Sequence, residues 1–394
     1  MKDKIGLAIV TYGGNYGTYL QAYATQCIVE KLGYQPEVIN LKSVIKEVSK
    51  ARRKYFISRL LNFRELASYS VRANGILVSE INKKYREYIE NRVKCFHLFC
   101  ERNFHFSDIV PSWSGLSDLC NSYKAVIVGS DQLWRPANIA GGFYTLEFVP
   151  ENVNKIAYAT SFGLASIRKN QEEKAKRFLT RINHISVREK SGQSIISELI
   201  GRKVPVVCDP TMLLNKEEWR MLAEKKPLIS GNYILVYFLG KNPIHRYFVK
   251  RLKEKIGCRI VGIIHIEGYI KIDEELSDDL PRDVGPFEFL NLIEYATYVC
   301  TDSFHGCVFS ILFNKTFFSF RRFNDNNPMS TNDRIITLLN NTKLSNRLVV
   351  GEEQIDDNIL LGIDFSEVNT VIQQFRAEAQ QYLKNALAEK NTDI

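Results

Sequence analysis

Short apolar runs recur along the chain at 5–10, 125–128, 155–161, 185–187, 234–239, 259–264, 298–301 and 316–320, and a further strand is read at 38–40. Helical stretches separate them at 19–31, 169–182, 244–255, 287–296 and 332–339. Runs that are apolar throughout, rather than alternating, mark strands covered on both faces, as in parallel sheets. Strands alternating with helical stretches predict an α/β protein. The alternation falls into two series, which predicts two Rossmann-like domains at 1–215 and 216–365. Asp364 and Glu367 read as a capping pair that opens a final helix, assigned to 366–394. Its stripe of Val368, Val371, Ile372, Phe375, Tyr382, Leu383 and Leu387 predicts packing back onto the first domain. Residues 42–105 read as mostly helical, and 265–286 as an acidic loop region.

The residues with chemistry gather where strands give way to helices. In open α/β sheets that edge is where ligands bind. The stretch Thr301-Asp302-Ser303-Phe304-His305-Gly306 leaves the 298–301 strand and enters a helical segment. Ser303, His305 and Gly306 there suit a phosphate or carboxylate, and His305 can move a proton. The 5–10 strand runs into a glycine-containing turn with Asn15, Tyr16 and Gly17, which reads as a ligand loop. The 125–128 strand ends at Gly129-Ser130-Asp131. Asp131 is read as a base or hydrogen-bond partner for a sugar hydroxyl, and Trp134 as a surface for a sugar face. Arg188 stands at another strand end, where its planar fork suits an anion. Asp209-Pro210 reads as a turn leaving the sheet. Arg188 and His305 are expected to face each other across the cleft and to contact one small anion.

Charge adds a second feature. The chain of 394 residues carries a formal net charge of +9. Residues 41–110 hold 15 Lys/Arg against 7 Asp/Glu, a net +8. This segment is expected to form helices with a positive surface on the acceptor side of the cleft, for a phosphorylated partner or an anionic membrane surface. No apolar run reaches the roughly 18 residues that span a bilayer. The eight cysteines form no C-x-x-C pair, so neither a metal site nor a disulfide framework is read, and a reducing cytoplasm is expected.

Over nearly its whole length the chain resembles the polysaccharide pyruvyl transferase family. The resemblance rests on Gly14-Asn15-Tyr16-Gly17, Val128-Gly129-Ser130-Asp131, Ser186-Val187-Arg188-Glu189 with Ser191, and Cys208-Asp209-Pro210-Thr211. It rests also on Thr301 to Gly306, on Phe313-Asn314-Lys315, and on Asn332-Asp333-Arg334-Ile335. It implies two Rossmann-like domains facing across a cleft, GT-B-like, with acceptor on the first and donor on the second. It also implies transfer of pyruvate from phosphoenolpyruvate to two hydroxyls of a sugar, giving a cyclic ketal. Phosphoenolpyruvate would be a co-substrate, with no cofactor and no metal. The acceptor would be a glycan or a lipid-linked sugar, and the location cytoplasmic, with peripheral contact to the inner face of the plasma membrane. In several members an Arg stands two residues before the His; here that position is Ser303. Arg188, Arg321, Arg322 and Arg334 are then the cations for the donor, His305 the general acid and Asp131 a base. Two other readings stay open: a nucleotide-sugar glycosyltransferase on the same architecture, and a non-enzymatic nucleic-acid binder, for which no sequence signature is found.

Overall fold

The structure is a computed structural model that describes residues 2–58, 82–223, 225–264, 268–324, 330–350, 355 and 360–389. It contains two parallel five-stranded sheets. The first is built from β1 (Lys4–Ala8), β2 (Gln35–Val38), β3 (Ala125–Val128), β4 (Asn154–Thr160) and β5 (His184–Val187), in the order β2-β1-β3-β4-β5. The second holds β6 (Tyr233–Tyr237), β7 (Arg259–Gly262), β8 (Tyr298–Thr301), β9 (Thr316–Phe320) and β10 (Leu348–Val349), in the order β10-β9-β8-β6-β7. The two orders are the same doubly wound pattern. In each, the chain reverses direction across the sheet between the first and third strands, β1 and β3 or β6 and β8. These reversals open a crevice at the carboxyl ends of the strands. Both domains are therefore Rossmann-like, in the GT-B-like arrangement.

The strands are buried on both faces because their sequences are apolar throughout. Every residue of β3, β4 and β6 is buried. The helix Tyr16–Lys31 is unusual in being buried nearly all round, with Gln21, Thr25 and Gln26 among its buried residues. Such burial marks a helix packed on more than one side. It lies at the seam between the domains, where Tyr16 stacks on Phe289 at 4.5 Å with the rings 2° from parallel. The Tyr16 hydroxyl donates to the Val284 carbonyl of the second domain at 3.0 Å. One hydrophobic core runs through this contact from Ile5 and Leu7 of β1 to Leu235 of β6 and Phe309.

The helix Phe365–Ala388 lies against the first domain. Asn154 Nδ2 donates to the Ala386 carbonyl at 2.8 Å, and Arg376 donates to the carbonyls of Met212 at 2.6 Å and Leu214 at 3.1 Å. Asp364 caps it by accepting from Ser366 N, while Glu367 pairs with Lys343 rather than returning to the cap. Several features depart from the sequence reading. The edge strand β2 contains Pro36 and precedes the run at 38–40. The helix Trp113–Cys120 was not anticipated. A short helix, Lys271–Leu276, interrupts the acidic stretch read as loop.

The basic insertion is helical at Ile45–Ile57 and Lys83–Asn103; residues 59–81 lie outside the described residues, so part of the expected positive surface does too. The second helix does not simply present charge. Tyr85, Tyr88, Arg92, Phe96 and Phe99 form a buried stripe. Phe96 meets Tyr16 at 5.3 Å, Phe99 meets Phe287 at 5.0 Å, and Arg92 lies 5.2 Å over the Tyr16 ring. This helix closes the seam.

Because one core passes between the domains, they are expected to unfold together. Phe289→Ala is expected to cost about 3–5 kcal/mol. Urea unfolding followed by circular dichroism and tryptophan fluorescence tests this: the parent should give one coincident transition, and two separated transitions would show that the seam does not couple the domains.

Candidate active site at the domain seam

Asp209 is the centre of the site. It follows the strand-like segment beside β5, where Val206 bridges Val187, and its side chain is fully buried. Its Oδ2 accepts from Ser130 Oγ at 2.7 Å and from Arg188 Nη1 at 2.8 Å. Its Oδ1 accepts from Thr211 N at 3.0 Å and Thr211 Oγ1 at 2.7 Å. From the second domain, His305 Nε2 approaches Oδ1 to 3.7 Å, ion-pair rather than hydrogen-bond distance. Burial alone would raise the pKa of this carboxyl. The charges of His305 and Arg188 and the Thr211 bonds outweigh burial and hold it far below the usual carboxylate range.

Arg188 leaves the end of β5 and is itself buried, with three carboxylates around it. Besides Asp209, its Nη2 lies 3.5 Å from Asp131 Oδ1 and its Nε lies 3.7 Å from Glu189 Oε2. The guanidinium also sits 4.8 Å over the ring of Phe304, across the seam. Glu189 differs from the other two acids. Among the described residues neither of its buried oxygens is within hydrogen-bond geometry of a donor, and burial pushes its pKa up against the pull of Arg188 and Ser161.

Asp131 has a left-handed backbone, φ 80°, which is uncommon for a non-glycine residue. That turn aims its carboxylate into the β1/β3 crevice. There Oδ2 accepts from Thr18 Oγ1 at 2.7 Å and Oδ1 accepts from Gln132 N at 2.8 Å. Burial raises its pKa, but Arg188, His305 and Thr18 together lower it below the ordinary value. It is thus an ionised hydrogen-bond acceptor rather than a base poised near neutrality.

In the second domain the β6/β8 crevice is bridged by Asp302, which accepts from Leu239 N at 2.6 Å and Gly240 N at 2.7 Å. Arg322 at the tip of β9 is tied to the same residue, with Nη2 3.3 Å from the Asp302 carbonyl and Nε 3.9 Å from its carboxylate. Arg321 shares that tip and is half-buried. Ser303 caps the helix Phe304–Leu312 by accepting from Gly306 N at 3.3 Å. The Gly306 amide is therefore directed at Ser303 rather than at a ligand. A Cβ on Gly306 would fall 2.5 Å from Thr301 Oγ1, so its role is close packing. Gly17 makes the closest approach of all: a Cβ there would fall 1.9 Å from His305 Nδ1. The absent side chain is what lets His305 reach Asp209.

Residues expected on the acceptor side are placed differently. Trp134 is fully buried, donates from Nε1 to the Tyr144 carbonyl at 3.1 Å, and packs against Phe162 and Phe178. It is a core residue and offers no face to a sugar. Tyr16 is buried in the seam, and Asn15 caps its helix by accepting from Gly17 N at 3.0 Å. Asp131 is left as the acceptor-side polar group among those named. Asp209, the hub, reads in the sequence as a turn and as part of the Cys208-Asp209-Pro210-Thr211 resemblance, with no role in a site. The aspartate that closes Cys208-Asp209 was visible in the sequence, but nothing there said which arginine it meets.

Removing the Asp209 charge leaves Arg188 buried with weaker compensation, and breaking a buried pair costs about 3–5 kcal/mol. Asp209→Asn should therefore melt well below the parent at neutral pH. An acid whose folded pKa is depressed stabilises the fold above its unfolded pKa, and that contribution is lost as pH falls. The gap between parent and Asp209→Asn should narrow progressively below about pH 4. Melting temperatures recorded from pH 7 downward check this, and a constant gap would exclude it. Gly17→Ala, which displaces His305, should leave a folded protein without the function of the site.

Three distant likenesses to solved structures accompany this geometry. The UDP-GlcNAc 2-epimerase from Neisseria meningitidis bound to UDP-GlcNAc is 13% identical with a TM-score of 0.46, covering 99% of this chain and 95% of its own. That from Methanocaldococcus jannaschii in complex with UDP-GlcNAc and UDP is 14% identical with a TM-score of 0.45, covering 100% and 94%. MurG of Acinetobacter baumannii is 10% identical with a TM-score of 0.41, covering 98% and 94%. Among curated proteins no relative matches the chain. The family model for polysaccharide pyruvyl transferase matches residues 15–322, a span that begins at the helix cap beside Gly17 and takes in Asp131, Arg188, Asp209 and His305. The chain belongs to the polysaccharide pyruvyl transferase family.

Proposed function

We propose that this transferase moves pyruvate from phosphoenolpyruvate onto two hydroxyls of a sugar, in a polysaccharide or its lipid-linked precursor, forming a cyclic ketal. The observation that carries the reading is the meeting of His305 and Arg188 on Asp209 at the seam. Phosphoenolpyruvate carries a phosphate and a carboxylate on the same carbon, so it needs guanidinium groups and one proton donor in the same small space.

The reaction balances as follows. A proton passes to the methylene carbon, which becomes methyl, and the central carbon becomes electrophilic. One sugar hydroxyl adds to that carbon and gives up its proton, which restores the acid. The second hydroxyl displaces the phosphate, which leaves with the second hydroxyl proton. His305 is the acid. Asp209, ionised at neutral pH, lies 3.7 Å from its Nε2 and faces the imidazole with a negative charge. Arg188 holds the donor's negative charge. Asp131 accepts a hydrogen bond from a sugar hydroxyl and orients it; its lowered pKa keeps it ionised and makes it a weak proton acceptor. Among the described residues no helix is long and apolar enough to cross a membrane. A lipid-linked acceptor and contact of the basic insertion with anionic lipid remain part of the proposal.

Phosphate release from phosphoenolpyruvate in the presence of a glycosyl acceptor is the test, with sugar nucleotides as the competing donors. His305→Gln should keep most donor binding and lose turnover by roughly 100-fold or more, the usual scale for a general acid. A variant that turns over like the parent would show that the proton comes from elsewhere. Stabilisation by a sugar nucleotide and not by phosphoenolpyruvate would replace the donor.

A further inference from the structure

Arg334 is a buried cation of the seam whose charge no carboxylate matches at ion-pair distance among the described residues. It stands in the first turn of the helix Asp333–Asn341, and its relative exposure is 6%. Arg188 has three carboxylates within 4 Å, yet among the described residues Arg334 has no carboxylate at ion-pair distance. Its hydrogen bonds go to neutral oxygens. Nε donates to the Thr331 carbonyl at 3.4 Å. Nη1 and Nη2 donate across the seam to the Gln132 side-chain oxygen at 3.0 and 2.9 Å, with the amide turned so that it accepts. A second positive charge stands close by: the Arg188 and Arg334 guanidiniums lie 4.8 and 5.9 Å over the same Phe304 ring. Burial first, and then the charge of Arg188, pull the Arg334 pKa down to about 9, with Glu189 and Asp131 opposing only in part.

A buried cation beside another cation, held by carbonyl oxygens alone, is unfavourable for the fold. Such an arrangement persists where a ligand supplies the missing charge. We propose that Arg334 is the second donor-holding cation, parked on Gln132 in the unliganded protein and passed to an anionic group of the donor when it binds. Arg188 reaches the site from the first domain and Arg334 from the second, so a compact anion between them ties the two domains together. Its fork would turn from one neutral amide oxygen to two anionic ones, which are the stronger acceptors. The identity of the anion rests on the donor reading above; its charge does not.

The test uses the full chain, with Arg334→Gln and Arg334→Lys, and three probes: phosphoenolpyruvate, UDP and inorganic phosphate. Each is titrated by calorimetry, and melting temperatures are recorded without ligand. Arg334→Gln should melt at or above the parent, because an unmatched buried charge has gone. It should bind the probe preferred by the parent roughly 10- to 100-fold more weakly, the loss of one or two charge-assisted hydrogen bonds. Arg334→Lys should recover part of that affinity, since it restores the charge without the fork. A lower unliganded melting temperature for Arg334→Gln assigns Arg334 to the architecture and overturns the proposal. So does unchanged affinity in a folded variant, or a parent that binds none of the three. A parent that binds UDP or phosphate but not phosphoenolpyruvate, with affinity lost in Arg334→Gln, retires the pyruvyl-donor reading and leaves Arg334 as the anion-holding residue.

Discussion

The buried pair of Asp209 and Arg188 is the interaction on which the seam depends. Two charges removed from water are costly, and their mutual attraction repays that cost only when every remaining lone pair and N–H is well used. Asp209 meets this condition on both oxygens, through Ser130, Thr211 and Arg188, with His305 at the open side. An apolar pair of similar volume would serve a core as well or better. The charges therefore make sense in terms of what binds between the domains, and the conformations around them are ones a plain core would avoid. Asp131 takes a left-handed turn, the buried Glu189 oxygens have no donor in hydrogen-bond geometry among the described residues, and Gly17 has a ring against it where a side chain would be. Strain and unmatched polarity collected at one place are the physical mark of a site.

Much of the fold could be read from the chain because parallel strands covered on both faces carry their signature in a few residues. β3, β8 and β9 fall where the apolar runs lie, since each run is short and ends in polar residues. β2 was displaced because it is an edge strand with a proline in it, and an edge strand has only one paired neighbour to demand apolar residues. The strand-tip residues were legible for the same reason as the strands: the carboxyl edge follows directly from strand direction.

What could not be read is which residues a tip would meet. Trp134 and Tyr16 have the composition of a sugar platform, but periodicity does not distinguish an aromatic on the surface from one in a core or a seam. Ser303 and Gly306 look like an anion turn, and the same two residues are what a helix cap requires. Asp209 and Arg188 lie 21 residues apart, and neither position points to the other without the sheet that brings them together. The buried stripe of the Lys83–Asn103 helix was present in the sequence at helical spacing. Net charge drew attention to its lysines and arginines instead, although a basic helix can bury one face as readily as any other.

The closed seam also sets a condition on binding. His305 lies against Gly17, Arg334 against Gln132, and Ser191 N donates to Asp333 Oδ2 at 3.3 Å. Each contact joins one domain to the other beside the same carboxylates. A multiply charged anion brought next to Asp131 and Asp209 would be repelled unless guanidinium groups turned toward it, and Arg188, whose Nη1 and Nη2 already donate to acids of its own domain, offers it charge rather than a free fork. A ligand can draw the domains together only through groups that it contacts better in one arrangement than in another. Neutral contacts such as that of Gln132 are the ones an anion can displace at least cost, because the amide can return to water while the cation gains a stronger acceptor. The paired charges within the first domain then keep the site in shape, and the exchangeable contacts across the seam respond to the ligand.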